Sequence, residues 1–334
     1  MRSYKLSNPN GVEMQVSDFG AIIQNLKVPD RDGVISDITL GFDTLDAYRE
    51  NEPYFGAVIG RFGNRIADGR FSLDGTLYSL AVNNGKNHLH GGIIGFNKVL
   101  WEVVEIRDET ELKLCYTSAD GEEGYPGELS VEVTYGLNDR NELSIRYHAT
   151  TTKPTHINLT HHAYFNLAGH DKGSVLDQEI LINADSITPT DATSIPTGDL
   201  RAVEGTVFDF RQQKRIGKSI DSEDEQIHFA GGYDHNFVLN KQVGELSHAA
   251  TVVDPCSGRM MEVFTTEPGL QFYTGNYLDG VNGKEGACYR RRDGFCLETQ
   301  HFPDTPNQPT FPSTRIDPGQ DFHSETIYRF GVVS

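Results

Sequence analysis

Leu129-Ser130-Val131-Glu132-Val133-Thr134-Tyr135-Gly136-Leu137-Asn138-Asp139-Arg140-Asn141-Glu142-Leu143-Ser144-Ile145-Arg146-Tyr147 carries the reading on which the fold turns. Leu129, Val131, Val133 and Tyr135 alternate with Ser130, Glu132 and Thr134, and Leu143, Ile145 and Tyr147 repeat the rule. Successive side chains of a strand point to opposite faces, so each run reads as a strand with one face to a core and one to water. Asn138-Asp139-Arg140-Asn141 sits between the runs and reads as a hairpin loop.

The same pattern extends outward from there. Leu112, Leu114 and Tyr116 alternate with Lys113 and Cys115. Asp74-Gly75 between Phe71-Ser72-Leu73 and Thr76-Leu77-Tyr78 is a strong local hairpin signal. Asp30-Arg31-Asp32-Gly33 reads as another turn, and Glu179–Ile182, Met260–Phe264, Leu270–Tyr273 and Ile327–Val332 as later strands. Helical signals are few: one short helix over Thr44–Arg49 with Thr44 as N-cap, and a turn or two within Ser222–Phe229. The 34 glycines and 14 prolines punctuate the chain evenly, with no biased linker and no repeat. The expectation is all-β: one large antiparallel β-sandwich with few short helices, residues 1–334 forming a single domain. Strands this numerous must close or stack to hide their apolar faces and edges.

Composition narrows the function. The 334 residues carry 48 Asp plus Glu against 29 Lys plus Arg, a formal charge of −19. That balance argues against nucleic acid or an anionic membrane as partner, because both call for clustered cations. No apolar run has the length of a membrane span, and the N-terminus lacks a signal-peptide pattern. Cys115, Cys256, Cys288 and Cys296 have no Cys-x-x-Cys spacing. They read as reduced thiols rather than a disulfide framework or a zinc site, and the cytoplasm is the expected compartment.

Five segments concentrate ionisable and amide side chains beside Gly and aromatics. They are Gly60-Arg61-Phe62-Gly63-Asn64-Arg65-Ile66, Asn87-His88-Leu89-His90-Gly91-Gly92, Asn158 to Gly169, Gly232-Tyr233-Asp234-His235-Asn236-Phe237, and Cys296-Leu297-Glu298-Thr299-Gln300-His301-Phe302-Pro303-Asp304. Burying such groups is costly unless they are paired. Meeting on one sheet face, they would form a polar cleft with aromatic walls. Such a cleft suits a carbohydrate, whose hydroxyls need convergent Asp, Asn, Arg and Gln and whose C–H faces pack on rings. Proton-transfer chemistry would add an acid and a base on opposite sides of the reacting atoms, His being the natural acid near neutral pH.

Each segment also has a plainer reading. Asn64 and Arg65 suit a solvated hairpin, His88 and His90 a turn or a metal pair, and Asp234 a turn cap. Tyr164 suits the core. Glu298 suits a wet strand face, although Phe295, Cys296 and Leu297 before it favour burial. His161 and His162 point to opposite faces if they lie on a strand, so at most one serves a given site.

In their joint order the five segments resemble the aldose 1-epimerase (galactose mutarotase) family, from about Phe19 to about Val332. Pro53-Tyr54-Phe55-Gly56-Ala57-Val58-Ile59-Gly60-Arg61, Asp120-Gly121-Glu122-Glu123-Gly124-Tyr125-Pro126-Gly127, Pro268 to Asn276 and Asn307-Gln308-Pro309 add to the likeness. The resemblance implies a galactose mutarotase-like supersandwich with a sugar site on a concave sheet face. It implies interconversion of the α and β anomers of free hexoses such as galactose and glucose. Residue by residue, it implies Glu298 as general base, His162 as general acid and His90 as a second site histidine. Asn64, Arg65, Asp234 and Gln271 match sugar-contacting positions, and Tyr164 a residue close to the acid. The expected partner is a monosaccharide, with neither cofactor nor metal required, and the chain acts as a monomer or homodimer.

The chain departs from the family pattern at His161, where many relatives carry Asn, at Ala163, where many carry Ser or Thr, and at Phe62-Gly63. Rival readings are a glycoside hydrolase using Asp234 and Glu298, a hexose-6-phosphate epimerase, which would need an arginine group such as Arg290-Arg291-Arg292, and a metal enzyme using His88, His90 and His162. A non-catalytic sugar-binding protein on the same scaffold is the fourth, and retention of both acid and base speaks against it.

Overall fold

A computed structural model describes residues 1–50 and 52–333. Two antiparallel sheets dominate it. The larger has nine strands in the order Glu102–Arg107, Glu111–Ser118, Leu129–Leu137, Glu142–Thr151, Phe322–Val332, Arg259–Thr265, Ser247–Val253, Glu179–Ile182 and Lys214–Arg215. The hairpin expected around Asn138–Asn141 forms, with Val133 opposite Tyr147. Val131, Val133, Tyr135, Ile145 and Tyr147 are buried while Ser130 and Arg146 on the other face are exposed.

The second sheet has six strands in the order Tyr164–Phe165, Phe295–Gln300, Gly269–Tyr273, Asp234–Leu239, Ala184–Ile187 and Arg201–Ala202. Phe165, Phe237, Leu270, Phe272, Phe295 and Leu297 point from one face into a core shared with the nine-stranded sheet. A fully buried Phe or Leu contributes roughly 1.5–3 kcal/mol, so this face fixes how the sheets stack. Two polar ties reinforce it. Thr299 and Thr326 share a hydroxyl bond at 2.6 Å, and Tyr328 donates its hydroxyl to the Leu297 carbonyl at 3.3 Å. Glu298 lies between those two anchored residues, and its side chain takes the opposite face.

The N-terminal part adds a four-stranded sheet, Ser3–Ser7, Glu13–Ser17, Ile23–Pro29 and Ile35–Asp37. The two expected helices are a 3₁₀ segment at Leu45–Glu50 and an α-helix at Glu225–Ala230 capped by Asp224, which accepts the Gln226 N–H at 3.0 Å. The Asp74-Gly75 hairpin is present, with both residues at positive φ. The strand expected at Ile327–Val332 begins at Phe322, five residues earlier. The alternation is hidden there because the inward residues are Ser324 and Thr326, whose hydroxyls are buried. No described helix is long and apolar enough to cross a membrane.

Candidate active site

The floor of the site is the free face of the six-stranded sheet, and two rungs of cross-strand partners define it. One rung runs Asn236, Gln271, Glu298. The next runs Asp234, Tyr273, Cys296, Tyr164. Directly opposed residues share a face, and so do residues two apart on one strand, so both rungs point to the same side. The intervening residues, His235, Phe272 and Leu297, are buried on the core side.

His161 and His162 divide as the strand geometry requires. His161 pairs with Val58 and turns its ring into the core, 5.9 Å from the Tyr135 ring. His162 turns into the site, where its ring stacks between Tyr54 at 5.7 Å and Tyr164 at 5.1 Å, each tilted 26°. Its Nδ1 lies 3.5 Å from the Cys296 thiol and its Nε2 lies 3.7 Å from Oε1 of Glu298. Burial lowers the His162 pKa to about 4 and raises that of Glu298 well above 4.5. The charge of Asp234 pushes Glu298 further up and Arg65 opposes it. Oε2 of Glu298 is buried without a hydrogen-bond partner in the protein.

His90 comes from a loop held by its own backbone. Strand residues Arg65 and Ile66 pair with Leu89 and His88, and the His90 N–H donates to the Asn64 carbonyl at 3.1 Å. In return, the Asn64 main-chain N–H donates to Nδ1 of His90 at 3.2 Å. An accepting Nδ1 has a free lone pair, so the proton of the neutral ring sits on Nε2. Burial keeps this ring neutral by holding its pKa well below 6.5, and His162 and Arg65 act in the same direction. Tyr54, Asn64 and His90 all have positive φ, a costly conformation for side-chain-bearing residues that concentrates at functional sites. The turn after His90 requires glycine: a Cβ on Gly91 would meet the Gly60 carbonyl oxygen at 1.8 Å.

These groups open onto a cleft of about 830 Å³. Tyr54, Asn64, Arg65, His90, His162, Tyr164, Asp234, Tyr273 and Glu298 line it, together with Asn84, Lys86 and Tyr277. Arg65 is held by Asn84, whose amide oxygen accepts its Nε–H at 3.0 Å. Asp234, partly exposed on the floor, has its pKa raised, chiefly by burial. Gln271 does not line the cleft. It lies one step back, donating to Oδ1 of Asp234 at 2.7 Å, and is buried among Gln300 and Asn236.

Seven of the eight residues singled out from sequence therefore meet in one cleft, and Gln271 braces one of them. His88 does not join them. Its Nδ1 lies 2.7 Å from the Ala81 carbonyl and its Nε2 2.7 Å from the Tyr125 hydroxyl, so both nitrogens are occupied structurally. That removes the metal set of His88, His90 and His162. Ligating atoms of His90, His162 and Glu298 do lie within 4.8 Å of one another. The Asn64 hydrogen bond, however, puts the proton on the His90 nitrogen that would have to ligate. Tyr54, Tyr273 and Cys296 were not identified from sequence as site residues. The alternation on Phe295–Gln300 places Cys296 and Glu298 on one face and was the available signal for the thiol.

The family model described as Aldose 1-epimerase matches residues 2–329. The galactose mutarotase of Bos taurus is 48% identical over 322 residues, 96% of this chain and 92% of that one. The aldose 1-epimerase of Escherichia coli (strain K12) is 37% identical over 98% of this chain and 95% of its own. The crystal structure of an aldose epimerase homologue from C. elegans superposes with a TM-score of 0.93 at 32% identity, covering 100% of this chain and 99% of the other. That of galactose 1-epimerase from Lactobacillus acidophilus NCFM gives 0.86 at 28% identity, covering 99% and 94%. This chain belongs to the aldose 1-epimerase family, enzymes that act on carbohydrates.

Proposed function

We propose that this protein interconverts the α and β anomers of free aldohexoses, galactose and glucose among them, with Glu298 as general base and His162 as general acid. The supporting observation is the 3.7 Å approach of Glu298 Oε1 and His162 Nε2 across the floor of a cleft sized for a sugar. Ionised Glu298 takes the proton of the anomeric hydroxyl while protonated His162 gives one to the ring oxygen. The C1–O5 bond breaks and leaves the open-chain aldehyde, a protonated Glu298 and a neutral His162. Rotation about C1–C2 presents the other carbonyl face. On reclosure protonated Glu298 gives its proton back to the carbonyl oxygen as neutral His162 takes the proton of the attacking C5 hydroxyl, so the catalyst is regenerated with atoms and charge balanced.

The other residues divide the remaining work. The Nε2–H of His90 and the guanidinium of Arg65 stabilise charge developing on the ring oxygen. Asp234, held by Gln271, and Asn64 bind hydroxyls, and Tyr164 walls the acid. A phosphorylated hexose is less well served, because the cleft-lining cations are Arg65 and Lys86 alone among the described residues. Arg292 is instead paired with Asp221 at 2.6 Å. Residues 1–334 are assigned to one domain because both sheets share one core. The site draws on one chain, so a monomer or a homodimer serves equally. The free thiols, Cys256 and Cys288 exposed among them, favour the cytoplasm.

Polarimetry of freshly dissolved α-galactose, α-glucose, xylose and arabinose tests the reading. Acceleration over the spontaneous rate, greatest with a hexose, is expected. No acceleration, or release of aglycone from an aryl galactoside, would overturn it.

A further inference from the structure

We propose that the solvent face of the nine-stranded sheet carries a site for a divalent transition-metal ion of the zinc class, held by His148, His323 and Asp321. The two histidines come together through register, and Asp321 immediately precedes the strand that carries His323. Glu132 is the cross-strand partner of His148, and His148 of His323. The three therefore stand side by side on one face, away from the core and from the sugar cleft.

Local geometry favours a chelate. The two imidazole rings lie 4.8 Å apart with planes 29° from parallel. Nε2 of His148 is 3.6 Å from Oδ1 of Asp321, and its Nδ1 is 3.8 Å from Oε2 of Glu132. Ligating atoms of His148, Asp321 and His323 all lie within 4.8 Å of one another. A tetrahedral zinc ion with ligands at about 2.0–2.1 Å sets its donors about 3.4 Å apart. Small rotamer changes of exposed side chains close that gap. Lys113 already neutralises Glu132 at 3.5 Å, so Asp321 is the anionic ligand and Glu132 the outer partner.

Two imidazoles and a carboxylate select zinc, nickel or copper over magnesium or calcium, which want oxygen ligands only. The bound ion would join the strands Glu142–Thr151 and Phe322–Val332 and so stabilise the folded state by mass action.

The test is calorimetric titration of the intact protein with zinc chloride, alongside thermal unfolding with zinc or magnesium chloride. One zinc per chain and a rise of about 2 °C or more in the unfolding midpoint with zinc are expected. Both should be lost in His148→Ala and in His323→Ala, while mutarotation by either variant is unchanged. Absence of binding by the wild type, an equal shift with magnesium, or zinc binding that survives both substitutions would overturn the proposal. The last result, coupled to inhibition of mutarotation, would place the ion at the sugar cleft instead.

Discussion

Oε1 of Glu298 stands 3.7 Å from Nε2 of His162 and makes no hydrogen bond to it, with both side chains almost wholly buried. Burial opposes the ion pair from both sides, raising the carboxyl and lowering the imidazole to about 4. An ionised Glu298 here is thus a stronger base than a free carboxylate, and a protonated His162 a stronger acid than a free imidazolium. Opening the sugar ring converts the costly ion pair into a neutral pair. The low dielectric that disfavours the starting charges therefore favours the chemical step.

This coupling sets the pH dependence. Catalysis needs one proton on the pair, whichever member holds it, so the titrations belong to the pair. As pH falls, the second proton arrives only near the lowered His162 value of about 4. As pH rises, the pair loses its last proton at the raised Glu298 value, well above 4.5. A bell-shaped profile of kcat/KM, which reports the free enzyme, is expected, its acid limb below the ordinary histidine range. An acid limb at about 6.5, the unperturbed histidine value, would contradict this assignment.

Glu298→Gln is expected to stabilise the fold while disabling the enzyme. The folded pKa is raised, so the folded state binds more protons than the unfolded one. Its contribution is fully present below the unfolded value of 4.5 and is lost as pH rises through the folded value. The amide carries no charge to bury. At pH 7 a gain of about 0.5–2 kcal/mol is expected by denaturant unfolding, shrinking toward pH 4.

Much of this was legible in the chain because strand alternation is a local signal. It separates His161 from His162, and the apolar run Phe295-Cys296-Leu297 favours burial of Glu298. The extent of the strand Phe322–Val332 was not legible, because inward Ser324 and Thr326 look polar until Thr265 and Thr299 are seen to pair with Thr326. Nor was the position of Gln271 behind Asp234 rather than beside the sugar. Its side chain shares a face with Glu298, and only the depth of the cleft decides which of them reaches the ligand. The fully partnered His88 was equally hidden, since Ala81 and Tyr125 come from other segments.

His90 offers a test of tautomer. The Asn64 amide reserves Nδ1 and leaves Nε2–H for the sugar. Glutamine can place an amide N–H near the Nε2 position, and phenylalanine keeps only the ring. His90→Phe should lower kcat by about 10²-fold, the scale of one lost oxyanion-type donor, and His90→Gln by distinctly less. Equal losses in steady-state polarimetry would mean that ring packing on Tyr54, not the donor, is what His90 supplies.

His161 provides the converse. Both its nitrogens are buried without partners, and burial lowers its pKa from 6.5 to about 3. The folded state therefore binds fewer protons than the unfolded one, and stability drains away as pH falls from 6.5 toward about 3. His161→Leu, close in volume, should keep near-normal mutarotation. It should gain up to about 2 kcal/mol near pH 5 by removing unpaired polar atoms. A large loss of activity would mean that the histidine reaches the site after all.

The most direct measurement is the rate at which Glu298→Gln and His162→Asn relax the optical rotation of fresh α-galactose, corrected for the spontaneous rate. A fall of at least about 10²-fold in each variant is expected, with both still folded and binding sugar. A rate near that of the wild type in either would take that residue out of the proton transfer and leave the 3.7 Å pair without its catalytic meaning.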